Sequence, residues 1–173
     1  MINIREADLN EFKEVYELIS AEFISADIKP YDTVYKLVRS EELKVYVIEE
    51  EIIYGGLFLS IYDDIVFIEN LAISSKYHSS GYGSKFLGAI LDKYHDKNMV
   101  LEVEEDEMLE KRVNFYERLG FKIYRNNYYY LPKINEETNK NKMYLMSTKL
   151  IEDDNEFNRM NKIIFENAYN VKM

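Results

Sequence analysis

The chain has 173 residues, 47% apolar and 14% aromatic, which suits one compact α/β-sized domain with an ordinary core. Its 22 Lys and Arg against 32 Asp and Glu give a formal charge of −10, which repels phosphate backbones and argues against nucleic-acid binding while suiting a cationic partner such as an amine. The chain has no cysteine, so disulfides, thiolate metal sites and a covalent cysteine intermediate are excluded.

His78 and His95 lie far apart and have no metal-ligand spacing, so no metal is expected. The N-terminus MINIREADLNEF carries charges at Arg5 and Glu6 and lacks the apolar core of a signal peptide. The longest nearly unbroken apolar run, IIYGGLFLSIY (52–62), is too short to span a bilayer. The expectation is a cytoplasmic protein without a membrane partner.

In chain order, INIREA (2–7) reads as a short strand. Asp8 and Glu11 make a capping box, and Phe12, Val15, Tyr16, Ile19 and Phe23 follow at helical spacing. A shorter helix begins near Pro30, with Tyr31, Val34, Tyr35 and Val38 on one face. KVYVIE (44–49), IIYGGLFLSIY (52–62) and DIVFIENLAI (64–73) are β-branched and aromatic with tight acidic connections, and read as three consecutive strands. A helix opening at the glycines near residue 82 buries Phe86, Leu87, Ile90, Leu91 and Tyr94.

NMVLEVE (98–104) is a fifth strand, and EDEMLEKRVNFYERLG (105–120) is a helix with acidic residues in its first turn and Gly120 at its end. FKIYRNNYYYLP (121–132) reads as a strand, KINEETNKNK (133–142) as a loop and MYLMSTKL (143–150) as a last strand. IEDDNEFNRMNKIIFENAYN (151–170) is a terminal helix burying Phe157, Met160, Ile164 and Ala168. The order describes a mixed α/β domain around a central antiparallel meander.

The chain has only six glycines, and YHSSGYGSKFLGAILDKY (77–94) places Gly81 and Gly83 where a helix starts. Glycine turns the backbone through positive φ and lets a ligand approach without a Cβ in the way. The first N–H groups of the helix have no intrahelical partner and carry the positive end of its dipole. Ser79, Ser80 and Ser84 add hydroxyls, and the whole suits a pyrophosphate. A P-loop is excluded because its first glycine is missing, and a dinucleotide fingerprint because Gly88 falls two residues late. A simple turn remains the other reading of the two glycines.

LAISSKYHSSGYGSKFLGAIL (71–91) resembles the acetyl-CoA-binding segment of the GNAT acetyltransferase superfamily: an apolar strand, a loop with [QR]-x-x-G-x-[GA], then a helix. RVNFYERLGF (112–121) resembles the second signature, a helix ending in F/L-Y-x-x-x-G-F. A weaker likeness is to the ribosomal-protein alanine acetyltransferases. The resemblance implies an α/β fold with a mixed, mostly antiparallel central sheet flanked by helices. Residues 1–150 would form the acetyltransferase domain and 151–173 a helical extension packed on it. The implied activity is transfer of acetyl from acetyl-CoA, as cosubstrate, to a primary amine.

The resemblance implies cofactor contacts from Leu71, Ala72 and Ile73, whose N–H groups would also meet the oxyanion, and from His78, Ser79, Ser80, Gly81, Tyr82, Gly83 and Ser84. His78 stands where the family usually has Gln or Arg. Asn114 is a further candidate contact to the cofactor, although the interval from LEV to Tyr116 is two residues longer than in the alanine enzymes.

An alkylammonium has a pKa of roughly 10.4 and must lose its proton before it attacks, while the departing thiolate needs one. Tyr116 matches the signature tyrosine and is the candidate acid; packing on a helical face is its other reading. Glu102, aligned with the base of the alanine enzymes, and Glu69, on the strand that would hold the pantetheine arm, are the candidate bases. Each also reads as the polar face of a half-buried strand. Without cysteine, direct transfer in a ternary complex is expected. The acceptor is a small-molecule amine or a protein or peptide amine, and a homodimer is compatible with the sequence. Two other classes stay open: an acyl-CoA-binding regulatory module without turnover, and an interaction module.

Overall fold

The stretches rich in β-branched and aromatic residues pair into one eight-stranded sheet in the computed structural model, which describes residues 1–23, 27–136 and 140–173. The strands are β1 (Asn3–Glu6), β2 (Lys44–Glu49), β3 (Ile53–Tyr62), β4 (Ile65–Ile73), β5 (Asn98–Glu104), β6 (Lys122–Ile123), β7 (Tyr129–Tyr130) and β8 (Lys142–Ser147). The helices are α1 (Phe12–Ala21), α2 (Tyr31–Arg39), α3 (Tyr82–Lys93), α4 (Leu109–Glu117) and α5 (Asp154–Ala168). The sheet order is β1-β2-β3-β4-β5-β8-β6, with β7 also paired to β8. Only β4 and β5 run parallel, so the sheet is mixed and mostly antiparallel, as expected.

Period-two alternation along β4 divides its apolar residues between two faces. Val66 and Ile68 pack with Leu101, Phe86, Ile90 and Val113 beneath α3 and α4. Ile65 and Phe67 point the other way, against Phe157, Met160 and Ile164 of α5. On that second face α1 and α2 cover β2 and β3 through Phe12, Val15, Ile19 and Val34. The approach of α1 depends on Gly56, where a Cβ would stand 2.8 Å from both the Val15 and Ile19 side chains. The C-terminal helix is therefore a covering layer of the sheet, with Asp153 capping it by accepting from the Asn155 N–H at 2.7 Å.

Three segments differ from their expected form. The strand expected over 121–132 is two short strands, because exposed Arg125 and Asn126 leave the ladder and Arg125 instead ion-pairs with Glu110 at 3.0 Å. The helix expected from residue 105 starts at Leu109, since the acidic residues before it form a turn in which Asp106 accepts from the Met108 N–H at 2.8 Å. The loop expected over 133–142 gives its last residue to β8, and its residues 137–139 lie outside the described residues. Among the described residues no helix is long and apolar enough to cross a membrane.

Candidate active site

The site begins with a fault in the sheet. β4 and β5 pair from Ile65↔Asn98 to Ile68↔Leu101, and there the pairing ends. On its other edge β4 shifts register against β3: Leu59 faces Ile68 and Phe58 faces Asn70, so Glu69 is the extra residue of a β-bulge. A bulge bends and twists the strand that carries it. Beyond it, the two arms Glu69–Ile73 and Glu102–Glu104 are no longer paired with each other, although β4 stays on β3 and β5 on β8, so the facing edge of β4 has no partner strand.

Between the arms lies a cleft of about 530 Å³ lined by Glu69 and Leu71 of β4, Glu102 and Glu104 of β5, and Tyr116 of α4, among others. The three residues expected to be catalytic thus share one cavity although they come from three elements. Among the described residues its wall is acidic, with Glu22, Asp27, Glu69, Glu102, Glu104 and Asp106 against Lys29 and Arg112. Burial raises the Glu104 carboxyl, and the nearby charges of Asp27 and Asp106 raise it further.

The two candidate bases are held differently. Both Glu69 oxygens are engaged, one by Lys29 Nζ at 2.7 Å and the other by the Ser60 hydroxyl at 3.0 Å. Glu102 accepts from two phenols, Tyr129 on Oε2 and Tyr169 on Oε1. Burial pushes its carboxyl up to about 7; the phenol donors and Lys29 oppose that, while Glu69 adds to it. A carboxylate poised there is suited to take a proton at neutral pH. Burial also raises the Tyr116 hydroxyl, with Arg112 opposing, and that hydroxyl has no hydrogen-bond partner among the described residues. It stays protonated and free to donate.

The glycine loop follows β4 directly. A short 3-10 turn (Ser75–Tyr77) leads to Ser79, with φ +65°, and Gly81, with φ +77°. α3 then begins at Tyr82, and Lys85 makes its first backbone bond, to the Gly81 carbonyl at 3.1 Å. The two glycines answer to different needs. Gly81 supplies the left-handed turn. Gly83 is not required by the protein's own packing, since a Cβ there would come no closer than 3.6 Å, to the Phe115 ring. A glycine with no internal reason, beside free helix N–H groups, leaves room for a ligand.

His78 Nε2 bonds the Ile73 carbonyl at 2.7 Å and lies 3.7 Å from the Glu22 carboxylate, so this ring ties the loop back to β4. Asn114 is exposed on α4 and does not line the cleft. Tyr82 stacks on Tyr54 at 5.0 Å.

Lys29, Ser60, Tyr129 and Tyr169 were not legible as site residues. Tyr129 carried a local signal, because alternation in YYY buries the middle ring between exposed Tyr128 and Tyr130. Tyr169 follows the last helix, and no local pattern marks it.

The splayed parallel pair, the glycine loop opening α3 and the cleft between the strand arms define an acyl-CoA N-acyltransferase architecture. Residues 41–123 match the model of the acetyltransferase (GNAT) domain, and the chain has the GNAT fold. A GNAT-family protein from Bacteroides thetaiotaomicron superposes with a TM-score of 0.88 at 22% identity, over 98% of this chain and 99% of that one. The ribosomal-protein-S18-alanine N-acetyltransferase of Escherichia coli gives 0.64 at 15% identity, over 89% and 98%. Spermidine N-acetyltransferase of Vibrio cholerae, solved with CoA and spermine, gives 0.65 at 16% identity, over 84% and 94%. A comparison with curated proteins gives no significant match.

Proposed function

We propose that the protein is an acetyl-CoA-dependent N-acetyltransferase acting on a cationic primary amine. The observation that carries this reading is the meeting of Glu102 and Tyr116 in one acidic cleft, opened where β4 and β5 part. The N–H groups at the start of α3 and the room over Gly83 suit the pyrophosphate of CoA. When bound, acetyl-CoA supplies an activated acetyl thioester.

The remaining chemistry belongs to the chain. Glu102 takes the proton that makes the acceptor ammonium a nucleophile, directly or through a water. The amine then attacks directly, in a ternary complex, because no cysteine is available to carry the acetyl group. Backbone alternation turns the N–H groups of Leu71 and Ile73 away from β3, toward the edge of β4 that β5 leaves open, while Ala72 faces β3. At that open edge the N–H groups of Leu71 and Ile73 would meet the acyl oxygen. The unpartnered Tyr116 hydroxyl protonates the departing thiolate. Glu69, neutralised by Lys29, shapes the pocket instead of serving as the base. The acid-lined mouth draws in a cation, whether a small polyamine or a peptide N-terminus.

The test is to incubate the protein with acetyl-CoA and a panel holding spermidine, an alanyl peptide and n-butylamine, and to weigh the products. An acetylated amine is expected, with spermidine and the peptide ahead of butylamine. Acetyl-CoA binding without any acetylated amine would favour a regulatory acyl-CoA-binding module.

A further inference from the structure

We propose that Tyr169, with Tyr129, is a positioning residue for Glu102, so that the segment after α5 completes the transfer site. The inference rests on the reading of Glu102 as the base. Each phenol takes a different oxygen of the same carboxylate: Tyr129 arrives from β7 and Tyr169 from just beyond the end of α5. Their rings are themselves held. Phe165 meets Tyr129 edge-on at 4.9 Å and Tyr169 edge-on at 5.9 Å, and Tyr169 also abuts Phe67 at 6.5 Å. The turn after α5 is closed by the Val171 N–H donating to the Phe165 carbonyl at 2.9 Å.

The chemistry of the pair is directional. Burial beside a carboxylate raises both phenols well above their ordinary value, so both remain protonated donors. An ionised carboxylate can accept from both at once, whereas a protonated carboxyl must turn one oxygen into a donor. The two phenols therefore favour the charged form of Glu102, against the burial that opposes it. They leave each oxygen a second lone pair for the acceptor's proton.

Two other charges face the group. Glu69 on the opposite arm disfavours its charge and Lys29 favours it. Lys29 also sits 5.7 Å from the centre of the Tyr169 ring while bonding Glu69. Tyr169 thus bonds the β5 arm directly and adjoins the β4 arm only through Lys29, and the last helix does more than cover the sheet.

The experiment follows the Glu102 carboxyl carbon by NMR across a pH titration in wild type, Tyr169→Phe and Tyr129→Phe, with the signal assigned by its loss in Glu102→Gln. Phenylalanine keeps the edge-on ring packing and removes only the donor. Each Phe variant is expected to raise the Glu102 pKa by about 1. The acidic limb of its pH–rate profile should move up by the same amount, with the thermal shift produced by acetyl-CoA unchanged. Activity at pH 6 should fall about tenfold and recover toward pH 9. If Tyr169→Phe fails to fold, Tyr129→Phe reads the other oxygen of the same carboxylate.

An unmoved carboxyl titration in folded variants would overturn the proposal. So would a moved titration with an unmoved rate profile, because Glu102 would then not be the group the phenols serve. A wild type that acetylates no amine would strike the transferase reading instead, and the titration would still decide whether the phenols hold the carboxylate.

Discussion

The two halves of the β4–β5 pair are built from the same strands and do opposite work. From Ile65 to Ile68 and from Asn98 to Leu101 the strands are hydrogen-bonded, buried on both faces and apolar except for Asn98. From Glu69 and from Glu102 onward they part; Ala72 and Val103 stay packed, but Glu69, Glu102 and Glu104 now line a cleft. One extra residue in β4 separates the two regimes. A half-open sheet is costly wherever nothing fills it, because unpaired strand edges must find other partners. The comparison teaches that the paired half supplies the stability against which the open half can hold charge and unsatisfied donors.

Substitutions in the two halves should therefore fail in different ways. In the open half, Glu102→Gln should lower the acetyl-transfer rate by about 10²–10⁴-fold, measured as turnover at saturating acetyl-CoA, and leave acetyl-CoA affinity unaltered. In the paired half, Ile65→Ala should cost about 2–5 kcal/mol in urea unfolding, since Ile65 is fully buried beneath α5. Mutants that lost rate and stability together at both positions would break the distinction.

The same Glu102→Gln change should sharpen it through pH. The carboxyl titrates near 4.5 when unfolded and near 7 when folded, so between those values the native state holds a proton that the unfolded chain has released. Stability from this group therefore falls as pH rises through that window. Glu102→Gln, which lacks the titration, should be more stable than wild type at pH 8 by up to about 3 kcal/mol, and the gain should vanish at pH 4. Melting curves at both pH values check this. A smaller effect comes from α3, where Gly88 has open space around a built Cβ. Gly88→Ala should stabilise by about 0.5–1 kcal/mol without changing turnover.

Much of this was legible in the sequence, and the limits are physical. The strands over 44–73 were visible because β-branched and aromatic residues crowd them, and the start of α3 because Gly81 and Gly83 bracket it. Glu69, Glu102 and Tyr116 could be singled out because each sits at a fixed offset from a motif. Their convergence on one cleft follows from the bulge and the parallel crossover, which are tertiary facts. The break between β6 and β7 was hidden because FKIYRNNYYYLP has strand-forming residues on both sides of the polar gap. His78 looked like a ligand group by its place in the loop, and only the fold reveals the Ile73 carbonyl it bonds. Tyr169 lies 67 residues from the carboxylate it bonds, beyond the reach of any local pattern.

The measurement that bears most directly on the open half is a thermal-shift titration with acetyl-CoA, run on wild type and on Gly83→Glu. At a hundred times its dissociation constant a ligand stabilises by about 2.7 kcal/mol, which should raise the midpoint by roughly 5–11 °C in a chain of this size. The account predicts that rise in the wild type and its loss in Gly83→Glu, where a carboxylate would occupy the space left over the α3 N-terminus. A flat wild-type titration, or an equal rise in both proteins, would contradict it.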